Sequence, residues 1–83
     1  MDKVTILNTN GRKISKDEMS PIVEIIYNKA ISIAILLSQN YKTNNQRVEI
    51  VFDEISGNYK VNFRNCTKKY GNDFNTLFQQ RMK

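Results

Sequence analysis

A β-hairpin across Arg47–Arg64 is the clearest prediction from the pattern of hydrophobic and polar positions. Apolar residues alternate with polar ones on both arms of this segment, namely Val48, Ile50 and Phe52 before the turn and Tyr59, Val61 and Phe63 after it. Alternation with a period of two places one set of side chains on one face of a sheet. The residues between the arms, Ser56-Gly57-Asn58, are typical of a turn.

The charges on the two arms favour one of two possible registers for this hairpin. Pairing Asp53 with Lys60 also pairs Glu49 with Arg64, and opposite charges across a ladder contribute roughly 0.2–1 kcal/mol per pair. A turn on Gly57-Asn58 suits a type II′ turn better but forms neither pair. We therefore expect the register that contains the two ion pairs.

A short strand and a tight turn are predicted near the N-terminus. Val4–Asn8 is rich in β-branched residues, as strands are. The dipeptide Asn10-Gly11 follows, and it is typical of a type I′ turn because both of its residues tolerate positive φ. A turn at this dipeptide would place Leu7 opposite Ile14.

A long amphipathic helix is predicted from about Pro21 to Gln39–Tyr41. Ser15–Glu18 has the form of a capping box, and Ser20 followed by proline supplies a second helix start. Apolar residues then recur at intervals of three and four on one face: Met19, Ile22, Val23, Ile26, Ala30, Ile33, Ala34 and Leu37. The stretch Ala30–Leu37 has the composition of a buried strand, but the unbroken helical spacing favours a helix.

A second, shorter helix is predicted at the C-terminus, and polar connectors are expected at Lys42–Gln46 and Cys66–Gly71. Asn72 is the expected N-cap of this helix, and Asp73 lies in its first turn. Its apolar face contains Phe74, Leu77, Phe78 and Met82. The predicted fold is an α+β domain of two layers with the order β(β)-α-β-β-α, in which an antiparallel sheet packs against the long helix with the C-terminal helix beside it.

Length and composition predict one soluble domain that covers residues 1–83. A second core would have too few residues to close, and the content of 40% apolar and 25% charged residues is typical of a globular chain. The N-terminus lacks the pattern of a signal peptide. The longest apolar stretch, Ala30–Leu37, is far shorter than the ~20 residues that cross a bilayer. We therefore expect a cytoplasmic protein that does not engage a membrane.

The residue types argue against an enzyme. The chain contains no His, so neither a Ser nor a Cys nucleophile has an imidazole base beside it. Cys66 is the only cysteine, which excludes a Cys-based metal site within one chain. The three glycines are isolated and form no phosphate-binding loop. We expect no catalytic residues, no metal and no cofactor.

The back of the long helix predicts a protein interface. A helix that covers a sheet on one side normally keeps a polar outer face. Ile31 and Ile35, one turn apart, point away from the predicted core face, with Asn28 and Ser32 beside them. Contiguous exposed apolar residues usually mark an interface. The alternative is that the C-terminal helix covers the two isoleucines within the same chain.

A second candidate site lies in the basic C-terminal third. The net charge is +5, and all of the excess follows Glu54, where six basic residues stand against Asp73 alone. The residues that could combine phosphate contacts with base stacking are Lys68, Lys69, Tyr70, Arg81 and Lys83. The alternative is a solvated basic end with no binding role.

The expected function is therefore that of a small intracellular, non-enzymatic binding or regulatory protein. It is expected to act through a protein–protein interface, with another protein or a second copy of itself as the partner. Nucleic-acid binding through the basic C-terminal third is the alternative.

Overall fold

The predicted class and element order are confirmed in a computed structural model, which describes residues 3–41 and 45–83. The elements are strand β1 (Val4–Leu7), helix α1 (Pro21–Asn40), strands β2 (Arg47–Phe52) and β3 (Tyr59–Arg64), and helix α2 (Lys68–Met82). One turn of 3₁₀-helix, Lys16–Glu18, precedes α1. The connector predicted at Lys42–Gln46 lies partly outside the described residues.

The sheet is mixed, whereas the sequence predicted a wholly antiparallel one. Its strand order is β1-β2-β3, and β2 and β3 are antiparallel as expected. β1 runs parallel to β2, with Val4 opposite Val48 and Leu7 opposite Val51. Two parallel neighbours need a crossover connection between them, usually a helix, and α1 is that connection.

The register of the β2–β3 hairpin differs from the predicted one. Lys60 lies opposite Val51 rather than Asp53, so the first of the two expected ion pairs is absent from the ladder. The second survives along a diagonal, since Arg64 Nε donates to Glu49 Oε1 at 3.0 Å.

The loop that joins β2 to β3, residues 53–58, explains the different register. Asp53 Oδ1 accepts hydrogen bonds from the backbone N–H groups of Ile55 at 2.9 Å and of Ser56 at 3.4 Å. The bond from Ile55 first, and then a hydrogen bond from the Ser56 side chain, lower the pKa of the Asp53 carboxyl. Gly57 completes the loop with a φ of 78° and donates its N–H to the Asp53 carbonyl. The carboxylate thus stabilises a longer loop instead of reaching across the ladder.

The turn after β1 folds back as predicted, but its register is shifted by one residue. Leu7 lies opposite Lys13 rather than Ile14. Asn8 Oδ1 accepts two backbone N–H groups within the turn, each at 2.9 Å. Gly11 has a φ of 83° and is the one left-handed residue of the turn. A type I′ turn needs two such residues, so this is a longer loop that closes on a left-handed glycine.

Helix α1 begins and ends where the sequence predicts. Ser20 is its N-cap, and its Oγ accepts the N–H of Val23 at 3.4 Å, with Pro21 in the first helical position. The helix residues that are buried against the sheet are Val23, Ile26, Ala30, Ile33, Ala34 and Leu37.

Helix α2 begins earlier than predicted. Thr67 is its N-cap, and its Oγ1 accepts the N–H of Tyr70 at 3.1 Å. Most of the connector expected at Cys66–Gly71 is therefore helical, and Asn72 lies inside the helix rather than at its start. Thr67 and Asn72 are both acceptable caps by residue type, and the sequence alone favours neither strongly.

The two helices lie side by side on one face of the sheet and run in opposite directions. At one end the Tyr41 hydroxyl, just after α1, donates to Asp73 Oδ2 in the first turns of α2 at 3.0 Å. At the other end Lys29 Nζ donates to the carbonyl of Arg81 in the last turn of α2. α2 thereby lies beside α1, as the sequence predicts.

Aromatic contacts hold α2 over β3. The rings of Tyr59 and Phe78 meet edge to face with centroids 5.5 Å apart, and those of Phe63 and Phe74 do the same at 5.6 Å. A Cβ on Gly71 would lie 3.3 Å from the Phe63 ring. Glycine is therefore placed in the interior of this helix because β3 approaches its backbone closely.

Replacing Gly71 with Val is expected to lower the free energy of unfolding by roughly 1–3 kcal/mol, because the added methyl groups overlap the Phe63 ring. Helix propensity alone would predict a small gain in stability instead, because valine is a slightly better helix former than glycine. Urea denaturation measures the difference, and Asn75→Val at an exposed position of α2 is the control. Stability equal to or above the wild type in Gly71→Val would show that this contact does not limit how closely α2 packs.

The Tyr41–Asp73 contact is expected to make stability depend on pH in the alkaline range. Burial first, and then the bond to Asp73, raise the pKa of the Tyr41 phenol. A raised pKa in the folded state stabilises the fold below the ordinary tyrosine pKa of about 10, and this contribution disappears as the pH rises through the folded value.

The difference in stability between wild type and Asp73→Asn should therefore be constant near neutral pH and shrink above about pH 10. Urea denaturation at a series of pH values measures it. In a Tyr41→Phe background the same substitution should have an effect that does not change with pH. Equal pH dependence in both backgrounds would contradict a role for the Tyr41 hydroxyl.

Candidate functional site

Helix α1 carries more apolar residues than the core of the domain uses. It has 20 residues and, by length and composition alone, is apolar enough to cross a membrane, although only 33% of its most apolar stretch is buried inside the fold. The core helix of a soluble protein can meet the same criterion, so length and composition do not distinguish a membrane-spanning helix from a core helix. The notable point is the apolar surface that the fold leaves uncovered.

Four large aliphatic side chains of α1 face solvent: Ile22 (53% exposed), Ile25 (49%), Ile35 (48%) and Leu36 (40%). Asn28 and Ser32 are also exposed and lie between the two ends of this set. From Ile22 to Ile35 the successive members are three or four residues apart, and Leu36 is four residues from Ser32, which places all six on one helical surface. We call these six residues the outer face of α1.

Three of the four predicted interface residues lie on this outer face. Ile35, Ser32 and Asn28 are exposed, whereas Ile31 is only partly accessible and packs against the core. α2 does not cover Ile35, which is 48% exposed. Ile22 was expected on the core face and instead faces solvent.

Lys29 is the one charged residue between Ile25 and Asn40, and its side chain is bonded to α2. Lys29 Nζ donates to the carbonyl of Arg81 near the C-terminus of α2, where a cation is favoured by the helix dipole. Arg81 Nη1 in turn donates to Ser32 Oγ. Both side chains therefore fasten α2 to α1, Arg81 at Ser32 of the outer face, while the four aliphatic residues of this face stay exposed.

An open groove of about 440 Å³ continues the outer face at the N-terminal end of α1. Its apolar lining residues are Ile22, Ile26, Phe52, Tyr59 and Met82, and the others are Ser20, Glu54 and Gly57. The groove lies where α1, the β2–β3 loop and the end of α2 meet.

The residues predicted to bind nucleic acid do not form one surface. Tyr70 is only 2% exposed, so its ring cannot stack on a base. Lys68 and Lys69 are exposed in the first turn of α2, while Arg81 and Lys83 lie at its other end. Lys68 and Arg81 are 13 positions apart, which corresponds to about 20 Å of helix. What remains for this prediction is one pair of adjacent lysines.

The described residues show no activated nucleophile or metal cluster. Burial raises the pKa of the Cys66 thiol, and Sγ donates to the carbonyl of Arg64 at 3.1 Å. The thiol is thus protonated near neutral pH and is a poor nucleophile. Within residues 3–41 and 45–83, no three His, Cys, Asp or Glu side chains lie close enough together to hold a metal ion.

Comparison with known proteins finds no matching family model, no matching curated protein and no matching solved structure.

Nucleic-acid binding, if it uses the basic residues of α2, is expected to depend on Lys68 and Lys69. Changing both to Ala should lower the affinity for single-stranded DNA or RNA and reduce the slope of log K against log salt by about 1.4, because two phosphate contacts are lost. Fluorescence anisotropy over a range of salt concentrations measures this. Arg81→Ala/Lys83→Ala, at the far end of the helix, should leave the slope unchanged. An unaltered slope in the first variant excludes the lysine pair as the site.

Proposed function

We propose that this protein is a small non-enzymatic binding protein that docks a protein partner on the outer face of α1, in the simplest case a second copy of itself. The observation that supports this proposal is the exposure of four aliphatic side chains on a helix whose opposite side already forms the core. Contiguous apolar surface on a small soluble domain usually marks an interface.

The size of the exposed apolar surface is consistent with a modest affinity. Each of the four aliphatic side chains is about half exposed, so covering one of them gains roughly 1 kcal/mol. Two copies bury eight such side chains, which amounts to roughly 8 kcal/mol before the cost of association. That cost is an estimated 4–15 kcal/mol, so the groove beside Ile22 must contribute if the complex is to be tight.

The arrangement of the outer face supports self-association. Ile22 and Ile25 form its apolar N-terminal part, and Ile35 and Leu36 form its apolar C-terminal part. Asn28 and Ser32 lie between them, with Arg81 of α2 bonded to Ser32. Two antiparallel helices would place the N-terminal pair of one copy over the C-terminal pair of the other. Such a contact is isologous and closes as a dimer.

A non-enzymatic role is supported by the chemistry of the chain. The sequence has no His, and the raised pKa of the Cys66 thiol keeps its only cysteine protonated. A regulatory role and a cytoplasmic location stay predictions from the sequence.

Replacing Ile25 and Ile35 with Lys is expected to convert the wild-type dimer into a monomer. The two added charges would have to be buried unpaired in the contact. The free-energy cost of burying them exceeds the free energy gained by covering the remaining apolar surface. Sedimentation velocity over a range of protein concentrations measures the molecular mass. Urea denaturation should show a monomer stability within about 0.5 kcal/mol of the wild type, because both positions are exposed.

Ile55→Lys is the matched control for this pair of substitutions. Ile55 is 99% exposed on the β2–β3 loop, so the change introduces the same charge at an apolar site outside the outer face, and we expect the dimer to persist. A wild-type protein that stays monomeric at every concentration would contradict the homodimer. Dissociation of the Ile55→Lys variant to the same extent would place the contact elsewhere.

A further inference from the structure

The outer edge of β3 is an open edge of the sheet. β3 is the last strand in the order β1-β2-β3. The opposite edge of the sheet is partly covered, because the segment after β1 folds back and Ile14 N–H donates to the Ile6 carbonyl at 2.8 Å. No comparable backbone hydrogen bond reaches the outer side of β3 from the part of the chain that the structure describes.

The hydrogen-bond pattern identifies the backbone groups that point outward from this edge. Val48 N–H donates to the Lys3 carbonyl on the β1 side, and Asp53 N–H donates to the Asn58 carbonyl on the β3 side. Backbone groups alternate between the two sides along a strand. The β3 residues opposite Val48, Ile50 and Phe52 therefore direct their N–H and C=O groups outward; they are Phe63, Val61 and Tyr59.

The apolar layer under the helices is incompletely covered at this edge. On β2 the three residues that face the helices are no more than 3% exposed. Their partners on β3 are more accessible: Tyr59 is 37% exposed, and Val61 and Phe63 are only partly buried. A further strand beside β3 could present apolar side chains to this layer and complete it.

The other face of the sheet is basic near this edge. Arg47, Lys60 and Arg64 lie on it, and Glu49 is the one acidic residue that β2 and β3 place there. Glu49 is already bonded to Arg64. An added strand with acidic side chains on this face would therefore gain favourable cross-strand pairs.

We infer that the edge of β3 is a docking site for an extended segment of a partner protein in which apolar and acidic residues alternate. The segment adds a fourth strand to the sheet through the outward N–H and C=O groups of Tyr59, Val61 and Phe63. Its apolar residues face the helix layer, and its acidic residues face Lys60 and Arg64. This site is separate from the outer face of α1.

The charges favour this partner over a second copy of the chain at the same edge. Pairing β3 with β3 of another copy would bring two Lys60 and two Arg64 side chains onto one face. Like charges on neighbouring strands destabilise the ladder, and lysine at a sheet edge is a common means of preventing self-pairing.

The test uses a capped, fluorescein-labelled peptide of alternating Val and Glu residues, with a Val and Lys peptide as its counterpart. We expect the acidic peptide to bind the wild type at low salt, and the basic one to bind roughly tenfold more weakly or not at all. Lys60→Glu should reduce or reverse the difference in affinity between the acidic and the basic peptide. Binding of neither peptide, or of both equally, would overturn the proposal.

Val61→Pro tests the backbone contribution. It removes an outward N–H while leaving the β2–β3 ladder intact, and we expect at least about a tenfold loss of affinity for the acidic peptide. Val61→Thr keeps the N–H and should bind as the wild type does. Circular dichroism tests whether both variants are folded. If Val61→Pro is unfolded, the relative affinity of Lys60→Glu for the two peptides decides whether the peptide binds at the edge of β3.

The Ile25→Lys/Ile35→Lys variant should bind the acidic peptide as tightly as the wild type, which separates this site from the outer face of α1. If Val61→Pro binds the acidic peptide as tightly as the wild type, the peptide does not add to the edge of β3. If the wild type forms a dimer that Val61→Pro abolishes, the edge pairs with a second copy and the inferred partner is wrong.

Discussion

The crossover that α1 makes between two parallel strands is the constraint on which the rest of the structure depends. β1 and β2 run in the same direction, so the chain must return to its starting end of the sheet between them. α1 makes this return across one face and contributes six buried side chains to the core. α2 then occupies the remaining area, over β3, and is held there by Phe74 and Phe78. The two candidate surfaces are what this arrangement leaves uncovered: one side of α1 and one edge of the sheet.

Much of this fold could be predicted from the sequence, because periodicity identifies which residues share a face. The alternation on β2 and β3 and the helical spacing of α1 both proved correct. Register was less predictable. The two cross-strand ion pairs that the sequence suggests are worth roughly 0.2–1 kcal/mol each. Asp53 instead accepts hydrogen bonds within its own loop, and the residue types alone do not favour one arrangement over the other. The parallel direction of β1 was also missed, since the composition of a four-residue strand does not specify its orientation.

The candidate sites show the same division between local and tertiary information. Helical spacing alone placed Ile35, Ser32 and Asn28 on the outer face of α1, as the structure does. The accessibility of Ile22 depends on where α2 and the hairpin loop end, and local spacing does not give this. The sequence neighbours of Tyr70 place it on a basic surface, whereas the early start of α2 turns its ring into the core. Burial set by packing between elements is the information that a single sequence lacks.

The pairing of β1 with β2 also determines the order in which the chain can fold. Val4 pairs with Val48, which lies 44 positions further along the chain, whereas the β2–β3 hairpin joins residues that are close in sequence. Closing a long segment costs more conformational entropy than closing a short one, and such non-local contacts slow folding. The hairpin and α1 can therefore form before β1 docks. On the ribosome the N-terminal strand would emerge first and be added to the sheet only after β2 has been made.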